Sequence, residues 1–377
     1  MSETDYKVPY TTVLKITPHN NAERLEVATV YGFQVIVQKG RYQPGDKVVY
    51  VPIDSVLSQD LENDLFPPDS KIKLNNHRVR QIKIRGLASQ GMLINKEDIK
   101  DFINLDYVAL EHDLKEVLNI TKYEPPQPGF AQIVGRDKQR NKSYDHPMFH
   151  CYNGLNNIKW FPDLFTEGEE VVIQEKLHGT NARASLMPFI PNTFWKKLRK
   201  FFRIAPAFEK CYGSNNVQKQ AAPKGKGGFY GEDLWAKVFK EIDVFSKIKL
   251  GESVYGEIIG PDIQKNYDYG LASPRFVLFD VKMLQEDGSQ KWLNPDEVEA
   301  FAKERGFEYV PVLYKGAFNK DFAYALTKGC SFYAPSQKVR EGIAIKARKD
   351  YDIEGNKKAV KWVSEDYLAD DKNTDFH

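Results

Sequence analysis

Cysteine is scarce in this chain: only Cys151, Cys211 and Cys330 occur among 377 residues. They lie too far apart for a paired zinc-ligand spacing, and an odd count does not make a disulfide framework. The expectation is reduced thiols in a core. Long apolar runs are missing as well. Nothing approaches the length that crosses a bilayer, and the opening MSETDYKVPY lacks the apolar stretch of a secretion signal. An intracellular, soluble protein with no membrane partner, acting as a monomer, is expected. Excess charge of one sign is also absent, since 54 Lys+Arg face 52 Asp+Glu for a net +2. A polyanionic partner would therefore have to meet local patches. With 41% hydrophobic and 28% charged residues, the chain is long enough for two domains with sizeable cores. No internal repeat is visible.

Short strands broken by turns fill the first part. LEVATV and FQVIV flank Tyr31-Gly32 as a hairpin, and a Pro-Gly-Asp turn leads into KVVYV. RVRQIKIRGLASQGMLI reads as two more strands joined around Gly86 to Gly91. Alternation places Arg78 and Arg80 on one face of a basic run that continues with Lys83 and Arg85, which reads as a solvated face or as an RNA contact. Such a segment suggests a small barrel. The run ITPHNNAERLEVATVYG with GRYQPGDKVVYV resembles the OB-fold tRNA-binding domains attached to some aminoacyl-tRNA synthetases. KYEPPQPG, Lys122–Gly129, marks a boundary because proline stiffens a connector. The expected division is an OB-like domain over 1–120, a linker over 121–148 and a second domain over 149–377. That second domain is α+β. LWAKVFKEIDVFSKI places Leu234, Val238, Phe239, Ile242 and Phe245 on one helical face, and Asn294-Pro295-Asp296-Glu297 starts a helix that stops at Gly306.

Four segments in fixed order carry the chemistry. The first is Glu175-Lys176-Leu177-His178-Gly179-Thr180-Asn181, where a strand ends in a lysine followed by a glycine turn. SVYGEIIGP follows, with Glu257 between apolar neighbours. RFVLFDV brings Phe276 and Phe279 on a strand ending at Asp280. Last come Glu341-Gly342-Ile343-Ala344-Ile345-Lys346 and Ala359-Val360-Lys361-Trp362. Each has a bland reading: a solvated lysine, a paired carboxylate, two core aromatics, exposed strand ends. Their joint order makes coincidence a poor account of all four.

This ordered set resembles the covalent nucleotidyltransferase superfamily of polynucleotide ligases and RNA capping enzymes. Lys176-Leu177-His178-Gly179 looks like its nucleophile motif KxDG with His in place of Asp, followed by Thr-Asn. That form is similar to ATP-dependent RNA ligases related to T4 phage RNA ligase 2, and in particular to the Deinococcus and Naegleria RNA ligase type, which places an OB-like domain first. The resemblance implies an N-terminal OB-like β-barrel followed by an ATP-grasp-like nucleotidyltransferase domain of antiparallel sheets with helices. It also implies a lysyl-AMP on Lys176, ATP with Mg²⁺ or Mn²⁺, and RNA as partner in a nicked duplex, its 3′-hydroxyl joined to a 5′-phosphate.

By the same resemblance Glu175 contacts adenine, Glu257 binds ribose or orients the nucleophile, and Phe276 stacks on the base. Glu257 and Glu341 hold the metal. His178 and Asn181 act when AMP passes to RNA and the strands are joined. Lys346 and Lys361 neutralise phosphate. Attack by a lysine requires a neutral amine, and nearby cations disfavour the ammonium. The chain departs from the pattern in two places. The last motif has one lysine, with Lys357 or Lys358 as substitutes, and the usual arginine is missing where Tyr212-Gly213-Ser214-Asn215-Asn216 stands. Arg183 could replace it or form a plain surface salt bridge.

Two basic stretches remain. FWKKLRKFFR interleaves cations with aromatics and reads as an RNA contact, a membrane-surface helix or a helix packed on its own domain. QKQAAPKGKGG reads as a basic loop. Three alternatives to an RNA ligase stay open. DNA ligases and capping guanylyltransferases normally carry an OB domain after the last motif, whereas 16 residues follow Lys361 here. A catalytically inactive RNA-binding protein would have little need of Lys176, Glu257, Glu341 and Lys361 together. A tRNA-binding accessory factor leaves the second domain unexplained.

Overall fold

Tyr31 and Gly32 turn the chain with φ of 54° and 101°, the positive-φ pair that a tight two-residue hairpin needs. They join Leu25–Val30 to Phe33–Gln38 with Val30 opposite Phe33, as the sequence predicts. The computed structural model describes residues 6–67, 70, 73–123, 146–191, 194–202, 206–215, 217–219, 233–264 and 266–369. The chain divides into one unit of Met1–Pro125 with Leu368–His377 and a second of Pro126–Tyr367. Most of the expected linker, and the basic loop beyond Lys219, lie outside the described residues.

In the first unit the hairpin pairs with Lys15–Pro18 to make one three-stranded antiparallel sheet. Tyr10–Thr12, Lys47–Val51 and Met92–Ile94 make another. RVRQIKIRGLASQGMLI gives three short strands where two are expected: Ile82–Ile84, Leu87–Ser89 and Met92–Ile94. Among the described residues the pairings remain separate small sheets and do not close into a barrel. The helix Gln59–Leu65, capped by Ser58, buries Leu61 against Val49, Val51, Leu105 and Leu114. Arg78 corrects the expected basic face. It is 5% exposed, donates from Nε to Asp54 at 2.9 Å and lies 3.8 Å over the Tyr123 ring, so it is a core residue of this unit.

Two large sheets build the second unit, beside a small hairpin of Asp352–Ile353 with Asn356–Lys357. One has the order Asn156–Asn157, Ala359–Val363, Gly342–Ala347, Glu170–Lys176, Val312–Ala317. The other runs Gln218–Lys219, Phe208–Gly213, Thr180–Pro188, Glu252–Ile259, Arg275–Leu284, Gln290–Trp292. Pairing is antiparallel except between Asn156–Asn157 and Val360-Lys361. The six-stranded sheet covers its outer face with Leu234–Glu241, Val244–Lys247 and Pro295–Arg305, burying Val238, Phe239, Val254, Leu278 and Phe301. The expected single helix breaks into two at Asp243, whose φ is 47°, although its apolar face is the one expected. Pro295–Arg305 begins and ends as read: Glu297 accepts the Asn294 N–H at 2.7 Å, and Gly306 closes the helix at φ 66°. Of the cysteines only Cys211 is in a core, with its thiol pushed up to about 12 by burial; Cys151 and Cys330 are exposed. No helix among the described residues is long and apolar enough to cross a membrane.

Candidate nucleotidyl-transfer site

Leu177, His178 and Gly179 carry the chain from the end of one sheet, at Lys176, to the start of the other, at Thr180. The motif lysine thus sits where the two sheets of this unit meet. The turn is fixed closely. A Cβ on Gly179 would lie 2.3 Å from the Ile258 carbonyl oxygen and 2.8 Å from Glu257 Cγ, so only glycine fits. Gln264 donates to the Gly179 carbonyl at 2.7 Å, and the Trp235 indole N–H to that of Asn181 at 3.0 Å.

Strand register decides which side chains share a face, because directly opposed residues point the same way and neighbours alternate. Lys176 opposes Gly342, Lys361 opposes Ala344, and Lys346 lies two residues beyond Ala344. The three lysines therefore share one face of the five-stranded sheet, while Ile173, Ile343, Ile345 and Val360 fill the core on the other. Lys361 stands two strands over and two residues along from the level of Lys176, roughly 7 Å along and 10 Å across. On the six-stranded sheet Asn181, Glu257 and Val277 are opposed and share a face.

Lys176 Nζ is ion-paired with Glu341, whose side chain is completely buried. His178 Nδ1 approaches the second Glu341 oxygen at 3.7 Å. Burial drives the His178 pKa down, which keeps the ring neutral near pH 7. Glu257 also faces this group. Burial pushes its carboxyl up to about 8; Lys176 and the Gly179 N–H oppose that rise, and Glu341 adds to it. Since the folded value lies above that of the unfolded chain, Glu257 favours the folded state fully below about pH 4.5. That contribution is lost as pH rises to about 8. Glu257→Gln removes the loss. The melting-temperature gain of this variant over wild type should grow by several degrees between pH 5 and pH 8, on the order of a few kcal/mol. A gain that stays constant across that range would show that Glu257 is not held protonated.

Other expected site residues are placed differently. Glu175 points to the face opposite Lys176, where one carboxylate oxygen accepts the Phe332 and Tyr333 N–H groups at 2.8 and 3.0 Å. Its other oxygen is buried without a hydrogen-bond donor among the described residues. Phe276 opposes Ile258 and lies 5.2 Å from Phe239, within the helix-covered core. It therefore faces away from Glu257 and cannot stack on a base there. The pairing slips between Tyr255 and Gly256, inserting Phe279 as an extra residue. Phe279 lies two residues on from Val277 and so takes the inter-sheet side, 4.8 Å from Tyr152, and the slip keeps Asp280 on that side as well. The sequence names both aromatics but gives no sign of the slip.

Lys346 is 1% exposed and donates to the Phe279 carbonyl at 2.7 Å and to Asp280 at 2.8 Å. Desolvation lowers its pKa, opposed by Asp280. Arg183 is neither a surface salt bridge nor directed at the site. Buried over the Phe149 ring at 3.9 Å, it donates to the Ser214 and Phe149 carbonyls at 2.8 and 2.6 Å. Lys358 pairs with Glu169 at 2.6 Å. Lys357 lies 3.6 Å over Tyr152, its pKa lowered by burial to about 7.

No group of three or more His, Cys, Asp or Glu side chains able to hold a metal occurs among the described residues. Glu341 supplies one carboxylate, and Glu257 a second once a cation takes the place of its proton. That fits a Mg²⁺-like ion, which takes one or two protein carboxylates and completes its shell with phosphate and water.

The sequence profile described as RNA ligase matches residues 169–363, and one described as an OB-fold domain matches residues 8–95. Among solved structures, a lysine-to-alanine variant of Naegleria gruberi RNA ligase with ATP and Mn superposes at TM-score 0.72 and 21% identity, covering 98% of this chain and 100% of that one. The same enzyme with PPi gives 0.69 and 22%, covering 97% and 99%. At that identity the likeness is one of fold.

Proposed function

The chain belongs to the RNA ligase family, and we propose that it seals RNA in an ATP-dependent reaction through a covalent lysyl-AMP on Lys176, acting as a monomer on nicked duplex. The observation that carries this reading is the convergence at the sheet junction. The Lys176 amine, the buried Glu341 carboxylate and the Glu257 carboxyl meet beside a turn that only glycine permits. Naegleria gruberi RNA ligase has been captured with ATP or AMP and Mn, which supports the same nucleotide and a divalent cation here.

In this reading Lys176 Nζ attacks the α-phosphorus of ATP; the N–P bond forms as the bond to pyrophosphate breaks. The ammonium must first leave Glu341 and lose its proton. Glu341 and Glu257 would hold a divalent cation, which would neutralise charge at the phosphate and compete with Lys176 for the Glu341 carboxylate. Lys361, on the same face as Lys176, faces the phosphates. Phe279 takes the base-stacking role first expected of Phe276. The unpaired Glu175 oxygen fits an amino group such as that of adenine. Asn181 and His178 then orient the RNA 5′-phosphate that receives AMP, and the 3′-hydroxyl displaces AMP to close the strand.

Incubation with α-³²P-ATP and Mn²⁺, followed by a denaturing gel, tests the first step. Label is expected on the chain, removable by pyrophosphate. Folded protein that takes no label with either Mn²⁺ or Mg²⁺ would leave a nucleic-acid-binding protein in place of the ligase.

A further inference from the structure

The imidazole of His178 is enclosed by phenols from segments distant in sequence. Tyr267 stands edge-on to it with ring centroids 4.8 Å apart, and Tyr367 at 5.4 Å. These two tyrosines meet each other at 5.7 Å, and all three side chains are buried. The Tyr269 hydroxyl accepts the His178 backbone N–H at 2.7 Å. The Tyr267 hydroxyl donates to the Val339 carbonyl at 3.0 Å, two residues before Glu341. Ser364 ties the last segment in: its N–H donates to the Glu341 carbonyl at 2.8 Å, while its hydroxyl oxygen accepts the Tyr367 N–H at 3.5 Å.

The two ring nitrogens meet different chemistry. Nδ1 lies 3.7 Å from Glu341 Oε2, and the other oxygen of that carboxylate is paired with Lys176. An ionised carboxylate only accepts, so a lone pair on Nδ1 would be repelled and a proton there attracted. A neutral ring carries one N–H. With the proton on Nδ1, Nε2 is an acceptor, and the Tyr367 hydroxyl lies 3.4 Å from it.

We propose that Tyr367 is a positioning residue for lysyl-AMP formation: its hydroxyl donates to His178 Nε2 and fixes the Nδ1–H tautomer that steadies Glu341 beside Lys176. Its rate consequence rests on the ligase reading above; the tautomer does not. Sequence offers little sign of this role, because Tyr367 lies beyond the last motif.

Tyr367→Phe removes the hydroxyl and keeps the ring. The first readout is long-range ¹H–¹⁵N spectra of the full chain with labelled histidine, the His178 signals being assigned by their loss in His178→Gln. Wild type should show a protonated Nδ1 and a bare Nε2, and Tyr367→Phe a mixture of tautomers. Tyr267→Phe, whose hydroxyl serves Val339, should keep the wild-type pattern. The second readout is label uptake from α-³²P-ATP. Tyr367→Phe should lower kcat by about 10- to 100-fold, with KM for ATP changed less than about twofold. A protonated Nε2 in wild type, or an unaltered spectrum in Tyr367→Phe, overturns the hydrogen bond. A tautomer mixture with an unchanged rate overturns the positioning role. Absence of lysyl-AMP in wild type, with the expected tautomer, would count against the ligase reading while upholding the hydrogen bond.

Discussion

Lys176→Ala should take up no label from α-³²P-ATP and should lose RNA sealing by at least about 10³-fold, the scale expected when a covalent nucleophile is deleted. The effect is this large because Lys176 alone among the lysines of the site stands at the turn beside Glu341, and Lys361, on the same face, lies roughly 7 Å along and 10 Å across from it. Lys346 is bound to Asp280 and a carbonyl, Lys357 lies over Tyr152, and Lys358 pairs with Glu169. Alanine also deprives the buried Glu341 of its cation, so Lys176→Met, which keeps the length of the stem, should accompany it. Both variants should be folded by circular dichroism. Pre-adenylylated RNA bypasses the missing step, and Lys176→Met should still seal it if Glu341, His178 and Asn181 act after the nucleotide has moved. Equal label on wild type and both variants would place the nucleophile elsewhere and end the assignment of Lys176.

How much of this was legible in the sequence depends on which physical rule governs each residue. That Lys176, Gly179, Glu257 and Glu341 belong together could be anticipated because a strand end, a glycine turn and a carboxyl among apolar neighbours are local features, and the fold brings the four to one place. The hairpin at Tyr31-Gly32 and the helix from Pro295 to Gly306 could be read for the same reason, since caps and tight turns are set by a few adjacent residues. Phe279 could not be told from Phe276, because the face each ring takes follows from register against the neighbouring strand, where Ile258 opposes Phe276 and Glu257 opposes Val277, and one strand alone does not show it. Arg78 and Arg183 look like surface cations in one dimension. Their burial depends on Asp54 and Tyr123 in one unit, and on the Ser214 and Phe149 carbonyls in the other. The side on which Glu175 lies could not be read from its neighbour. Adjacent strand residues point to opposite faces, so the glutamate next to the nucleophile need not join it.

Asp280→Ala should lower stability by about 3–5 kcal/mol, the usual cost of leaving one member of a buried ion pair without its partner. Asp280 is completely buried. It pairs with Lys346 at 2.8 Å and accepts the Tyr152 and Tyr351 hydroxyls at 2.6 and 3.0 Å. Removing it strands the ammonium and two phenols together between the sheets. Lys346→Met with Asp280→Leu removes both charges, so most of the loss measured by denaturant titration should be recovered in the double variant. The double variant also settles what Lys346 does. Its amine is directed at Asp280 and the Phe279 carbonyl, an arrangement that holds Phe279, the ring proposed to stack on the base, in place instead of presenting a cation to phosphate. If that is its role, the refolded double variant should still form lysyl-AMP, with weakened ATP binding because Phe279 is less well held. A stable double variant that binds ATP at wild-type affinity yet takes no label would make Lys346 a phosphate-contacting residue that leaves Asp280 when nucleotide arrives.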